Sequence, residues 1–270
     1  MIARLQRPLA IAVVTAAVAV ALGIALTRRD DDQEVHCAAG FVRSGTRCAL
    51  EGTACPAPLQ QTGHGCDAPD VRVLVPAAAV ASGPSDWAGS DEQIRPRVVR
   101  AQAFRIDAFE VTLGRWNTTS ADPARAANAI ARPEAERFCE SQGGRLPTED
   151  EWIVAATSAT NPQRRYPWGD TGAVCRRAAW GLSAGPCARG ADGPDTVGTH
   201  PDGDSPLGMH DVAGNVAEWV AAEPARPTFG VAKGGSWAAT LATELGILAR
   251  LELAPEARDP RVGVRCAYPP

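Results

Sequence analysis

The chain has 270 residues, 45% of them apolar and 21% charged, with a net charge of −4. That length allows one large domain with extras or two small ones, and that apolar fraction supports a packed core over most of it. The acidic balance, with no arginine–lysine stripe, lacks the electrostatic footprint of a nucleic-acid binder, so no nucleic-acid partner is expected.

Arg4 and Arg7 precede an unbroken apolar run from Pro8 to Thr27, closed by Arg28 and Arg29 and then by Asp30, Asp31 and Asp32. About twenty apolar residues is the length a helix needs to cross a bilayer. The core of a cleavable signal is usually shorter, and IALT is a poor cleavage site. Residues 1–29 are therefore expected to anchor the chain in a membrane through residues 8–27, with a cleaved signal and secretion as the alternative. The flanking arginines are balanced and do not orient the anchor. The cysteines do: there are eight of them, an even number with no C-x-x-C pair. That pattern fits four disulfides in an oxidising compartment outside the cytoplasmic membrane, periplasmic or extracellular. It fits zinc less well, although His36 abuts Cys37 and His64 lies near Cys66.

Residues 30–70 read as a Cys-rich stalk. CAAGFVRSGTRC runs from Cys37 to Cys48 and CPAPLQQTGHGC from Cys55 to Cys66, each too poor in apolar residues to fold by burial alone. The economical pairing is Cys37–Cys48 and Cys55–Cys66, one of three possible connectivities. The composition changes at Val71, and 71–270 is expected to be one domain. VRVLVP is a strand ended by Pro76, and RVVRAQAFRIDAFEVT gives one or two strands up to Thr112. Thr112 is placed to cap a short helix through Trp116. ARPEAERFCESQGG reads as a helix, with Ala135, Phe138 and Cys139 at i, i+3 and i+4 and two glycines as its stop. Thr148 and Glu151 form a capping box for a second helix through about Ser158, with Asp150 in its first turn. From Pro162 the chain is irregular for seventy residues, a length that calls for something to hold it; Trp168, Trp180, Trp219 and a Cys175–Cys187 staple are candidates. Short strands in VAKGGSW and VGVRCAY close the chain.

FRIDAFEVT (104–112), GGRLPTEDEW (143–152), RYPWGD (165–170), SPLGMHDVAGNVAEWV (205–220), KGGSW (233–237) and GVRC (263–266) follow one another in order. Together they resemble the formylglycine-generating enzyme family, the sulfatase-modifying factor domain, over about 71–268. The resemblance implies an α+β, C-type-lectin-like fold: small antiparallel sheets, two main helices and much ordered loop. It also implies that Cys139 pairs with Cys266, leaving Cys175–Cys187 as the remaining local pair.

Formylglycine-generating enzymes oxidise a sulfatase cysteine with molecular oxygen, using copper(I) held by two cysteines just beyond the Gly-Gly-Ser-aromatic turn. Counted from Trp237, those positions here hold Ala239 and Glu244. Copper(I) asks for soft thiolates; alanine offers no ligand and glutamate a hard oxygen, so the copper site is expected to be degenerate and copper absent. Relatives in the ergothioneine pathway build an iron site with histidines of an extra helical domain, for which the stalk is too small. His200 and His210, loop histidines without carboxylates at ligand spacing, are read as surface residues. The family's calcium loop falls on Asp211, the carbonyls of Gly214 and Val216, and Glu218. Hard oxygens from a Gly-containing loop suit calcium; the alternative is a tight turn in which Asp211 and Asn215 hydrogen-bond the backbone. A second, weaker calcium site would use Asp192 and the Pro194 carbonyl. Glu110 and Glu149 resemble an acid–base pair but are read as partners of backbone groups or an arginine. Ser236 and Trp237 are candidates for a ligand cleft, Trp237 with packing on the turn glycines as its competing role. The expectation is an exported, membrane-anchored, non-catalytic binding or structural module with structural calcium and a protein, peptide or glycan ligand. The alternative is an oxidoreductase of different mechanism on the same scaffold, since fold does not dictate chemistry.

Overall fold

The structure, a computed structural model, describes residues 40–44, 47–50, 54–83, 96–117, 119–159, 164–223, 226 and 228–270. The apolar segment 8–27 and the expected Cys37–Cys48 bridge lie outside the described residues. Among the described residues no helix is long and apolar enough to cross a membrane.

Two short hairpins come first, β1 (Phe41–Ser44) with β2 (Arg47–Leu50) and β3 (Gln60–Thr62) with β4 (Gly65–Asp67). Strands β5 (Arg72–Val75), β8 (Phe104–Asp107) and β13 (Ala267–Tyr268) form an antiparallel sheet in the order β13-β8-β5. Hairpin β6 (Ala78–Ser82) and β7 (Arg97–Ala101) stands beside it in sequence. The last sheet, in the order β11-β10-β9-β12, takes β9 (Ala217–Trp219), β10 (Gly230–Lys233), β11 (Leu251–Leu253) and β12 (Val262–Gly263). Its β9–β12 pair is parallel, a two-residue departure from the antiparallel sheets expected. The fold is otherwise the loop-rich α+β arrangement read from the motifs.

Both main helices form where their signals lie, after a single turn, α1 (Leu113–Trp116), whose Thr112 Oγ1 accepts the Arg115 N–H. Helix α2 (Arg132–Ser141) starts with Pro133 in its first turn, where a missing N–H costs nothing. It stops at Gly143, whose φ of +76° favours glycine. Helix α3 (Glu149–Ala156) has the expected reciprocal cap: Glu151 N–H donates to Thr148 Oγ1 at 3.2 Å, and Thr148 N–H to Glu151 Oε2 at 2.9 Å. It ends two residues before the expected Ser158, because Ser158 and Ala159 both turn left-handed, at φ +56° and +54°.

Trp152 to Ala156 are all buried, so α3 is enclosed rather than amphipathic. Around it lies one core, with Phe104, Ile106, Met209, Val231 and Ile247. A second core packs α2 against Trp219, Val264 and Tyr268. The Cys139–Cys266 disulfide fastens α2 to the segment between β12 and β13, and Cys175–Cys187 staples the irregular region. Cys55–Cys66 closes the β3–β4 loop. That loop is not a spacer. Leu59, Cys66 and Asp67 are buried, and the Asp67 carboxylate approaches Gly114 so closely that a Cβ there would lie 2.2 Å from Oδ2. Packing therefore runs across the boundary expected at residue 70.

Candidate functional site

The turn after β10 depends on its two glycines. Gly234 and Gly235 have φ of +97° and +72°, and a Cβ on either would lie within 2.7 Å of a backbone oxygen, of Val212 or of Glu244. Beyond them Trp237 turns inward. Its indole N–H donates to the Pro260 carbonyl at 3.1 Å, and its ring packs with Ala179, Leu182 and Ala191. It is a core residue, not a cleft wall. Ala239 is also buried, among Tyr166, Trp180, Ala213 and Leu245.

Glu244 has a different job. Its Oε1 accepts the backbone N–H groups of Thr240 at 3.0 Å and Leu241 at 2.8 Å, holding the start of the 3-10 turn Ala242–Leu245. Tyr166 Oη donates to the Ala242 carbonyl at 3.1 Å and pins the other side. The loop so fixed leaves Leu241 63% exposed. Beside it is a pocket of about 220 Å³, lined in part by Ser236, Thr243, Glu244, Arg250 and Arg261. That is below the usual range for a small-molecule site.

The second region is the Asp211–Glu218 loop. Asp211 and Asn215 have positive φ, 54° and 50°. Asp211 Oδ2 accepts the Gly198 N–H, and Asn215 Oδ1 accepts that of Asp195 at 2.8 Å. Glu110 binds the same loop from β8's side, accepting Asn215 Nδ2 at 2.6 Å and the Val216 N–H at 3.0 Å. Glu218 is where the calcium expectation meets a competitor. Its Oε1 accepts Arg265 Nε at 2.8 Å and Nη2 at 2.7 Å, and its Oε2 accepts the Trp152 indole at 2.7 Å. Arg265 also donates to the carbonyls of Asp107, Ala108 and His210, at 3.1, 2.7 and 2.8 Å. A carboxylate and three carbonyls around a buried cation is the kind of hard-oxygen cage calcium uses. Here the cation is a guanidinium on the same chain. Glu218 does not fit a calcium ion without giving up Arg265, and Asp211 remains the one expected side chain without an arginine on it.

The electrostatics agree. Burial works against the Arg265 charge, but Glu218, Glu110 and Asp211 more than offset it, and its pKa is raised. Burial, then the charges of Asp211 and Glu218, push Glu110 well above the usual carboxylate range. Burial likewise raises Asp211. At the expected second site, Arg125 Nε donates to the Pro194 carbonyl at 2.9 Å, and Asp192 is exposed.

The histidines differ from the sequence reading. His200 is buried, with Nδ1 3.1 Å from Thr199 Oγ1. His210 is half-buried, stacked on Phe109 at 4.2 Å and bonded through Nδ1 to Asp204 at 2.9 Å. Carboxylates do flank them, yet among the described residues no three His, Cys, Asp or Glu side chains converge on one point. Glu110 and Glu149 are far from being an acid–base pair: Glu110 serves the loop, and Glu149 binds Lys233 and Arg250, both at 3.3 Å. Two residues escaped the sequence reading. Arg265 sits in the quoted GVRC motif but gave no sign of its partners. Lys233, in KGGSW, is fully buried, and burial lowers its pKa to about 8 despite Glu149.

The sequence model described as "Sulfatase-modifying factor enzyme 1-like domain" matches residues 65–269. The inactive C-alpha-formylglycine-generating enzyme 2 of Mus musculus is 32% identical over 143 residues, 50% of this chain and 46% of that protein. Hercynine oxygenase of Mycolicibacterium thermoresistibile is 41% identical over 96 residues, 35% of this chain and 20% of that protein. The chain thus spans less than half the length of either relative. Among solved structures, Treponema denticola variable protein 1 superposes with a TM-score of 0.60 at 20% identity, over 74% of this chain and 95% of that one; this likeness concerns the fold alone.

Proposed function

The chain belongs to the sulfatase-modifying factor family, and on that premise we propose that it is a member without the copper chemistry: a non-catalytic binding or structural module. One observation carries the reading. Where the resemblance requires two thiolates, Ala239 is packed into an apolar cluster and Glu244 spends its carboxylate on the backbone of its own turn. The six cysteines whose sulfurs are described are all in disulfides, so they offer no spare thiol. An inactive relative in the same family agrees with such a loss.

What the turn presents is Leu241. A fixed, exposed apolar side chain beside a shallow polar pocket suits a protein or peptide partner more than a buried small molecule. A glycan would find no exposed aromatic ring on this loop, since Trp237 is turned in. Disulfides fit an oxidising compartment, and residues 8–27 would hold the domain at a membrane surface. Calcium is not part of this reading, because Arg265 supplies the cation that Glu218 needs. The oxidoreductase alternative would require a donor set that the described residues do not assemble.

A copper(I) competition titration tests the reading. The protein should take copper(I) no more tightly than an unrelated disulfide-bonded control. Stoichiometric binding that survives a thiolate-strength competitor would overturn it.

A further inference from the structure

Away from the turn, a cleft of about 500 Å³ opens beside the first turn of α3, strand β7 and strand β10. That is a usual size for a small-molecule site, where apolar walls carry a few convergent polar groups. The apolar wall here is Val220, Val231 and Phe229, and Phe229 is 48% exposed.

The charges around the cleft are unevenly paired. Glu149 serves two cations at once, Lys233 on Oε1 and Arg250 on Oε2. Arg250 reaches on to Glu252 at 3.6 Å, and Glu252 is shared in turn with Arg226 at 3.7 Å. Two carboxylates thus answer three cations. Asp150 is taken by the Arg97 guanidinium and also accepts the Arg100 backbone N–H. The Arg100 guanidinium lines the cleft and makes no ion pair among the described residues. Glu223, also in the lining, offsets one charge. Among the described residues the lining charges balance in number, and the buried Lys233 beneath them adds one positive charge. Burial first, and then the nearby Arg250 and Arg97, lower the Lys233 pKa to about 8.

We propose that this cleft binds a small organic monocarboxylate, with its carboxylate on Arg100 and Arg250 and its apolar body against Phe229, Val220 and Val231. Guanidinium groups match a carboxylate in geometry as well as charge. One lining guanidinium, Arg100, makes no ion pair among the described residues, which suits a monoanion rather than a phosphate dianion. The cleft shares Arg250 with the pocket beside the turn, but Arg100 and Phe229 line only the cleft, so a test on those two residues does not depend on the non-catalytic reading.

Phenylacetate is a suitable probe, with phenylacetamide as its neutral counterpart. On the full chain, phenylacetate should bind saturably by calorimetry, with a Kd on the order of a millimolar for so small a ligand. Phenylacetamide should bind roughly tenfold more weakly. Arg100→Gln should weaken phenylacetate by roughly tenfold, and Phe229→Ala should weaken both probes, while the charge control Arg105→Gln, the one exposed residue of β8, leaves both unchanged. Arg100 and Phe229 are exposed, and circular dichroism checks that each variant folds. The proposal is overturned if phenylacetamide binds as tightly as phenylacetate, if Arg100→Gln binds unchanged, or if nothing saturates at tens of millimolar.

Discussion

Two regions of this molecule lie where the family resemblance puts a metal, and they have parted from it in opposite ways. In the turn after Lys233 the ligand types are gone: Ala239 fills a gap in an apolar cluster and Glu244 holds backbone N–H groups. In the Asp211–Glu218 loop every expected residue type is present, but the Glu218 carboxylate is held by the chain's own Arg265, whose other partners are the carbonyls of Asp107, Ala108 and His210 rather than those of Gly214 and Val216. A lost thiolate is visible in residue identity alone. A carboxylate held by a cation 47 residues along the chain is not, because nothing local to the loop announces the competitor.

The comparison breaks most visibly at Arg265. Removing one partner of a buried ion pair leaves its carboxylate uncompensated, so Arg265→Met should cost about 3–5 kcal/mol in urea unfolding. A loss below about 1 kcal/mol would mean that Glu218 does not depend on the guanidinium. The next effect in size comes from Lys233. Its folded pKa is depressed to about 8 from 10.5, so below pH 8 the native state carries the whole cost of a buried ammonium, about 3 kcal/mol. Between pH 8 and 10.5 the unfolded chain binds the extra proton, and stability should rise with pH across that window. Lys233→Met should remove the rise; a slope that survives the substitution must come from another group.

Glu244 should matter less. Glu244→Ala removes two bonds to backbone N–H groups and should cost roughly 1 kcal/mol, as a lost cap does, whereas Glu244→Gln keeps an acceptor and should cost less. A Glu244→Ala variant as stable as the parent would return the residue to candidacy as a ligand. The smallest effect separates the two regions most cleanly. Calcium at a hundredfold excess over its Kd would stabilise the native state by about 2.7 kcal/mol; with Glu218 committed to Arg265, chelator should leave Tm unchanged. A fall in Tm that Asp211→Ala abolishes would restore the calcium reading.

Much of this fold was legible because its signals are local. Thr148 with Glu151 and Pro133 with Gly143 mark helices α3 and α2 within a few residues. Helix α3 stops short of the expected Ser158 because the left-handed turn at Ser158 and Ala159 involves residues with no intrinsic preference for it. The absence of thiolates at the two positions counted from Trp237 could be read because it is a matter of residue identity, Ala239 and Glu244. Burial of the β3–β4 loop and the inward turn of Trp237 could not, since each depends on residues distant in sequence, Gly114 and Pro260. Long-range partners also decided Lys233: its motif is plain, but the shared carboxylate of Glu149 lies 84 positions earlier.

The non-catalytic reading of the turn meets its most direct test in one reaction. The unmodified protein, supplied with copper(I), molecular oxygen and a sulfatase-type CxPxR peptide, should leave the peptide cysteine unoxidised when followed by mass spectrometry. Oxygen-dependent conversion of that cysteine to formylglycine at a rate above the protein-free control would contradict the account, whatever Ala239 and Glu244 imply.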